Sequence, residues 1–345
     1  MRPGLLIKKT DSAWEGVQMS TLLIEEKSYL RVKKEIEAIS TDIDVVLIGE
    51  DGSLSAKGQK IEAGAVKPDM AWLNIEILLS GLMEKFVKLV LEAGTVKWLQ
   101  TFMAGLDLPF YKEMLRKGIR ITRSNAQAIA IAEYVMANVM ILFQGVFDRK
   151  RHQTAHEWRT TGFRELWKTK WLIIGFGNIG QEIARRVRAF DCEVIGVKRS
   201  AGEHPLADTV ITLDRLSEYL PQADVVVLAC ALNPETRELA DRTFFQKMKK
   251  NATFVNIARG KLVNQKDMIE SLKEGTPARA ILDVFDPEPL EADSPLWDMD
   301  QVIISPHSSN AGSGTHSRGD RLFLENLRRF LKGQPLQNEA DPDRL

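Results

Sequence analysis

The run GFGNIG at 175–180 stands directly after an apolar, β-branched segment and at the start of a helical pattern. That placement restricts the fold more than any other feature of the chain. Gly175 permits a tight turn, Gly177 lets backbone approach a pyrophosphate, and Gly180 lets the helix pack close to the strand. The first helical turn, with Asn178 and Ile179, then offers its free N–H groups to phosphate. Taken alone, such a run is also compatible with a glycine-rich turn that binds nothing. The flanking strands therefore carry the reading.

From residue 170 onward, apolar runs at Trp171 to Phe176, Glu193 to Val197, Asp224 to Ala229, Thr253 to Ile257, Ala280 to Phe285 and Val302 to Ser305 read as strands. Between them lie helical patterns around Ile179 to Ala189, Leu213 to Leu220, Arg242 to Lys249 and Gln265 to Lys273. This alternation predicts an α/β fold, a Rossmann doubly wound parallel sheet covered by helices on both faces. Earlier, Thr21 to Glu25, Asp44 to Ile48, Met70 to Ile75 and Trp98 to Thr101 read as strands of a smaller, discontinuous, flavodoxin-like α/β domain. The apolar pattern from Ala126 to Phe147 predicts one connecting helix, and Arg318 to Leu331 an amphipathic helix that returns the chain. At 345 residues the chain is long enough for two cores. We expect a substrate domain over 1–123 and 309–345 around a dinucleotide-binding domain over 124–308.

The 47 basic residues balance 47 acidic ones, so no overall field gathers nucleic acid or an anionic membrane. Cys192 and Cys230 sit in apolar segments with no metal-like spacing, which suits buried thiols in a reducing compartment. The apolar piece Leu5 to Ile7 is too short for a signal-peptide core, and a cytoplasmic protein is expected. Ala128 to Phe143 is apolar but holds Glu133 and Asn138 and falls short of a bilayer span, so it reads as a buried helix. The polar tail Gln334 to Leu345 is expected to fray.

An acidic residue at the end of the second strand would hydrogen-bond the adenosine ribose of NAD. Here the chain reads Val197, Lys198, Arg199, Ser200. Two cations and a hydroxyl suit the 2′-phosphate of NADP, although a solvated basic turn would read the same. NADP is therefore favoured over NAD.

Three phrases follow at the carboxyl ends of predicted strands: NIARG at 256–260, DVFDPEPL at 283–290 and SPHSS at 305–309. Open α/β sheets bind their ligands at that edge. Singly, Arg259 reads as a structural ion-pair residue, Glu288 as a loop carboxylate and His307 as a capped loop histidine. Jointly and in order, they read as a site. His152 and His156 have an i, i+4 spacing but no third ligand nearby, so no metal is expected; His204 lies in a turn, and His316 fits a helix start.

Together with GFGNIG, these phrases resemble the D-isomer-specific 2-hydroxyacid dehydrogenase family, the reductases of glyoxylate and hydroxypyruvate among them. The resemblance runs from about Val96 to the last helix and includes MAGLD at 103–107, Ala132 to Tyr134, and NPETREL at 233–239. It implies hydride transfer between NAD(P)H and a 2-keto acid or D-2-hydroxy acid. Arg259 would hold the substrate carboxylate and keto oxygen, a task suited to a planar charged fork. His307 would exchange a proton with the carbonyl oxygen, and Glu288 would bond the imidazole and favour its protonated form. The resemblance further places Asp283 and His307 at the nicotinamide, and Ala229 and Ala258 along the cofactor. It assigns substrate N–H contacts to Ala104 and Gly105 of the small domain, with domain closure over the site, and implies a homodimer. Where the family commonly has glycine, this chain has Lys168, Leu172 and Asp191, and Ala231 stands in place of a frequent proline. Two other readings of such a fold are a nucleotide-sensing corepressor and a phosphite dehydrogenase. Formate oxidation is disfavoured, because related formate dehydrogenases carry glutamine in place of Glu288.

Overall fold

A strand buried on both faces has no polar side to show, so its sequence runs continuously apolar. The run KWLII in the computed structural model, which describes residues 20–342, is such a strand: Leu172 and Ile174 enter one core and Trp171 and Ile173 the other. It lies third in a seven-stranded sheet made of β8 (Lys170–Ile174), β9 (Glu193–Val197), β10 (Thr209–Ile211), β11 (Val225–Leu228), β12 (Thr253–Asn256), β13 (Arg279–Leu282) and β14 (Val302–Ile304). The order is β10-β9-β8-β11-β12-β13-β14 and every pairing is parallel. The order reverses between β8 and β11, the switch point where open α/β sheets bind ligands.

The first sheet is built from β1 (Ser20–Glu25), β2 (Ile43–Ile48), β3 (Leu54–Ala56), β4 (Gln59–Lys60), β5 (Met70–Leu73), β6 (Trp98–Thr101) and β7 (Arg120–Thr122). Its order is β4-β3-β2-β1-β5-β6-β7. The five strands from β2 to β7 are parallel in a flavodoxin-like order, and β3 and β4 add an antiparallel hairpin at one edge. Glu25, fully buried, caps the helix Glu26–Ile39 by accepting from the N–H groups of Lys27 and Ser28. Gln100 accepts from Thr122 Oγ1 at 2.8 Å and from Asn326 Nδ2 at 2.9 Å, which satisfies three buried polar groups together.

Contacts divide the described chain into one unit of 20–101, 114–122 and 324–336 and a second of 102–113, 123–323 and 337–342. The line differs from the one expected: 102–113, 123, 309–323 and 337–342 make their contacts in the second unit. Four short strands escaped the sequence reading, Leu54–Ala56, Gln59–Lys60, Arg120–Thr122 and Thr209–Ile211. Two or three residues leave no periodicity to read, and edge pairing alone defines them. The single helix expected over Ala126 to Phe147 is instead two, Ala128–Phe143 and Val146–Thr154, bent by 56° where Gly145 turns left-handed at φ 59°. The first of them lies in the core, and no single helix among the described residues is long and apolar enough to cross a membrane.

Lys168 and Asp191, standing where glycine is common, both adopt left-handed backbone, at φ 58° and 56°. Asp tolerates that region better than Lys. Leu172 is fully buried and fills the space a glycine would leave. The tail expected to fray is held as far as it is described: Leu336 and Ala340 are buried, and Arg123 N–H donates to Asn338 O at 3.0 Å. Residues 343–345 and the segment Leu5 to Ile7 lie outside the described residues.

Candidate active site

The glycine turn shows why each glycine stands where it does. Gly175 has φ 100°, and a Cβ there would lie 2.4 Å from the Cys230 backbone nitrogen. At Gly180 a Cβ would lie 2.4 Å from Gly175 O, so the helix Asn178–Val187 can close on the turn only with a bare position. At Gly177 a Cβ would meet nothing within 4 Å, and no side chain caps the helix. Open space over an uncapped N-terminus is what a pyrophosphate needs. The turn is tied to the end of β9, since Gly175 N–H and Phe176 N–H both donate to Val197 O. Ala229 is fastened beside it, its N–H donating to Ile174 O at 2.7 Å.

Lys198, Arg199 and Ser200 are exposed at the carboxyl end of β9. Lys198 N–H donates to Ile211 O at 2.9 Å, so β10 anchors the start of this basic turn. At its far end the His204 ring meets the Phe176 ring edge-on, with centroids 5.0 Å apart. Phe176 in turn lies against Gly196, where a Cβ would come within 2.8 Å of the ring.

NIARG, DVFDPEPL and SPHSS leave β12, β13 and β14, which are neighbours in the sheet, with Asn256 paired to Leu282 and Leu282 to Ile304. The three phrases therefore emerge side by side at one edge. His307 Nδ1 and Glu288 Oε2 are 2.9 Å apart, and the other Glu288 oxygen accepts from Phe285 N–H at 3.0 Å. With the carboxylate ionised, Nδ1 carries the hydrogen and Nε2 is presented. His307 has φ 51°, a left-handed conformation that histidine adopts more readily than most residues but that still costs energy.

What holds His307 there is Asp283, 1% exposed. Its carboxylate accepts from the Ser308 and Ser309 N–H groups at 2.8 and 3.0 Å and from the hydroxyls of Ser305 and Ser309. Its carbonyl accepts from His307 N–H at 2.8 Å. Expected at the nicotinamide amide, Asp283 stands in the structure as the anchor of the histidine loop. Tyr134 hydrogen-bonds Ser305 at 2.6 Å; burial, against the Ser305 bond, pushes the phenol above its ordinary range and keeps it protonated.

Arg259 pairs with Asp107, a residue the sequence reading did not single out although it ends the MAGLD phrase. Nε donates to Oδ2 at 3.1 Å, Nη2 to Oδ1 at 2.9 Å, and Nη1 to the Ala258 carbonyl at 2.7 Å. Burial alone would raise the Asp107 carboxyl, but the hydrogen bonds and charge of Arg259, with His307 beyond, hold it below the usual carboxylate range. Gly105 lies under the pair: a Cβ there would be 2.6 Å from Nη2. Gly260 is equally constrained, its Cβ position falling 1.9 Å from Phe285 O, so the arginine strand end and the glutamate turn touch through backbone. Ala104 is half-buried in the same loop.

Other candidates recede. The Cys230 thiol, partly buried beside the glycine turn, is pushed up to about 11 by burial and stays protonated. His152 is taken by Glu157 at 2.7 Å, and His316 is exposed at the start of the helix Thr315–Leu331. Among the described residues no group of three or more His, Cys, Asp or Glu is placed to hold a metal ion.

Residues 136–309 match the family described as D-isomer specific 2-hydroxyacid dehydrogenase, NAD binding domain. The chain is 32% identical over 276 residues to a glyoxylate reductase/hydroxypyruvate reductase of Homo sapiens, covering 76% of this chain and 83% of that one. It is 30% identical over 274 residues to a glyoxylate reductase of Pyrococcus horikoshii, with 76% and 81% covered. A solved structure of a D-isomer specific 2-hydroxyacid dehydrogenase family protein from Aeromonas salmonicida matches with TM-score 0.75 at 27% identity, over 94% of this chain and all of that one. Fold and relatives define an NAD(P)-dependent dehydrogenase acting on a CH–OH group. The chain belongs to the D-isomer-specific 2-hydroxyacid dehydrogenase family.

Proposed function

We propose that the protein reduces a short 2-keto acid, of the glyoxylate or hydroxypyruvate kind, to the D-2-hydroxy acid, with His307, Glu288 and Arg259 as its working groups. The observation that carries this reading is the 2.9 Å pairing of His307 Nδ1 with Glu288 at the strand edge where Arg259 also emerges. The substrate class is supported by the human relative, a glyoxylate reductase/hydroxypyruvate reductase, and by the Pyrococcus relative, a glyoxylate reductase. When bound, the dihydronicotinamide supplies a hydride to C2. His307 Nε2 gives its proton to the keto oxygen as the carbonyl π pair moves there, and Glu288 stabilises the imidazolium before transfer. Arg259 holds the carboxylate and keto oxygen, with the N–H groups of Ala104 and Gly105 assigned as further donors to the carboxylate. The open N-terminus at Gly177, Asn178, Ile179 and Gly180 would receive the pyrophosphate, and Ala229, Ala258 and Asp283 would belong to the same cofactor site.

We assign NADP as the preferred cofactor because Lys198, Arg199 and Ser200 stand exposed where an NAD enzyme carries a carboxylate. Replacing Lys198 and Arg199 together by alanine is expected to weaken NADPH by roughly 10- to 100-fold, the value of charged hydrogen bonds, and NADH by far less. Equal losses would separate this turn from the 2′-phosphate. The function itself is tested by following NADPH and NADH oxidation at about 340 nm with glyoxylate, hydroxypyruvate, pyruvate and longer 2-keto acids. No turnover despite nucleotide binding would overturn it.

A homodimer is part of the same reading. The second unit exposes Trp158, Phe163, Trp167, Phe147 and Trp297, the last two lining a cleft of about 840 Å³. The aromatic cleft of Phe147 and Trp297 is the surface we assign to the partner copy. Sedimentation is expected to give twice the chain mass of 38.9 kDa; a monomer at micromolar concentration would remove the assignment.

A further inference from the structure

We propose that Asp107 is a positioning residue: it grips one edge of the Arg259 guanidinium so that the opposite edge is aimed at the substrate. The inference rests on the substrate-binding reading of Arg259. Both residues belong to the second unit, 152 positions apart in sequence. A guanidinium has five N–H groups in one plane. Asp107 takes the Nε hydrogen and one on Nη2, and the Ala258 carbonyl takes one on Nη1. One N–H remains on Nη1 and one on Nη2, a fork suited to a carboxylate or to a carboxylate and keto oxygen together. The bare Gly105 lets the pair lie flat, and the side chains are 32% and 26% exposed, so a ligand can reach the fork.

Asp107 has a second effect, through charge. Its ionised carboxylate stands beside the place assigned to an anionic substrate and weakens ground-state binding there. Removing that charge strengthens the attraction for the anion but frees the guanidinium to rotate. The grip therefore favours the rate of the chemical step over affinity for the substrate. A residue that merely supports the loop would behave otherwise: its loss would worsen rate, affinity and thermal stability together.

The test is steady-state reduction of the best 2-keto acid by the parent and by Asp107→Asn, with NADPH affinity and thermal midpoint measured on the same samples. We expect kcat to fall at least fivefold, KM for the keto acid to stay equal or drop, and NADPH affinity to hold, with the midpoint lowered no further than loss of the same ion pair lowers it in Arg259→Ala. A smaller fall in kcat, or a fall accompanied by a raised KM and a lowered midpoint, overturns the positioning role. Should Asp107→Asn not fold, Asp107→Ser keeps an acceptor without the charge in less volume and is read by the same criteria. Absence of turnover in the parent overturns the underlying function as well, whereas an active parent with an unaffected variant overturns the positioning role alone.

Discussion

Replacing His307 by asparagine is expected to lower kcat for keto-acid reduction by about 10²- to 10⁴-fold, the usual worth of a positioned proton donor, and to leave NADPH binding nearly unchanged. Asparagine is the sharper probe because it tolerates the left-handed backbone at φ 51°, where alanine would add strain. The loop itself should persist, since Asp283 holds it through the Ser308 and Ser309 N–H groups and the Ser305 and Ser309 hydroxyls rather than through the imidazole. Measured by NADPH oxidation under substrate saturation, retention of more than a tenth of parental kcat would remove His307 from its assigned role.

Arg259→Ala is expected to cost about 2 to 5 kcal/mol in transition-state binding, about thirtyfold to about five-thousandfold in kcat/KM. The variant also leaves Asp107 without its partner, so the thermal midpoint should drop. Arg259→Lys separates charge from shape: an ammonium cannot hold Asp107 and a substrate carboxylate through two edges of one plane. Recovery of the parental kcat/KM by lysine would mean that the fork is irrelevant and only a positive charge is needed.

Much of this architecture is legible in the sequence alone. Every strand of four or more residues in either sheet was anticipated, because buried strands write continuous apolar runs and helices write a 3.6-residue period. The glycine turn was readable because a missing Cβ is a local requirement, and the positions of Gly175 and Gly180 bear that out at 2.4 Å. The short strands, the break at Gly145 and the firmly held tail were not, since each depends on what lies beside it rather than on its own residues. Asp107 illustrates the limit: a lone carboxylate in MAGLD offers no sign that its partner stands 152 residues away.

The fold class, the glycine turn and the order of the three candidate phrases are written in the chain itself, since propensity, periodicity and glycine need are decided among neighbours in sequence. That β12, β13 and β14 lie side by side, that Asp283 anchors the histidine loop, and that Asp107 grips Arg259 over a bare Gly105 comes from long-range packing. Such pairings follow from sheet order and register, which are settled by burying both apolar faces at once. No local stretch of chain contains that information.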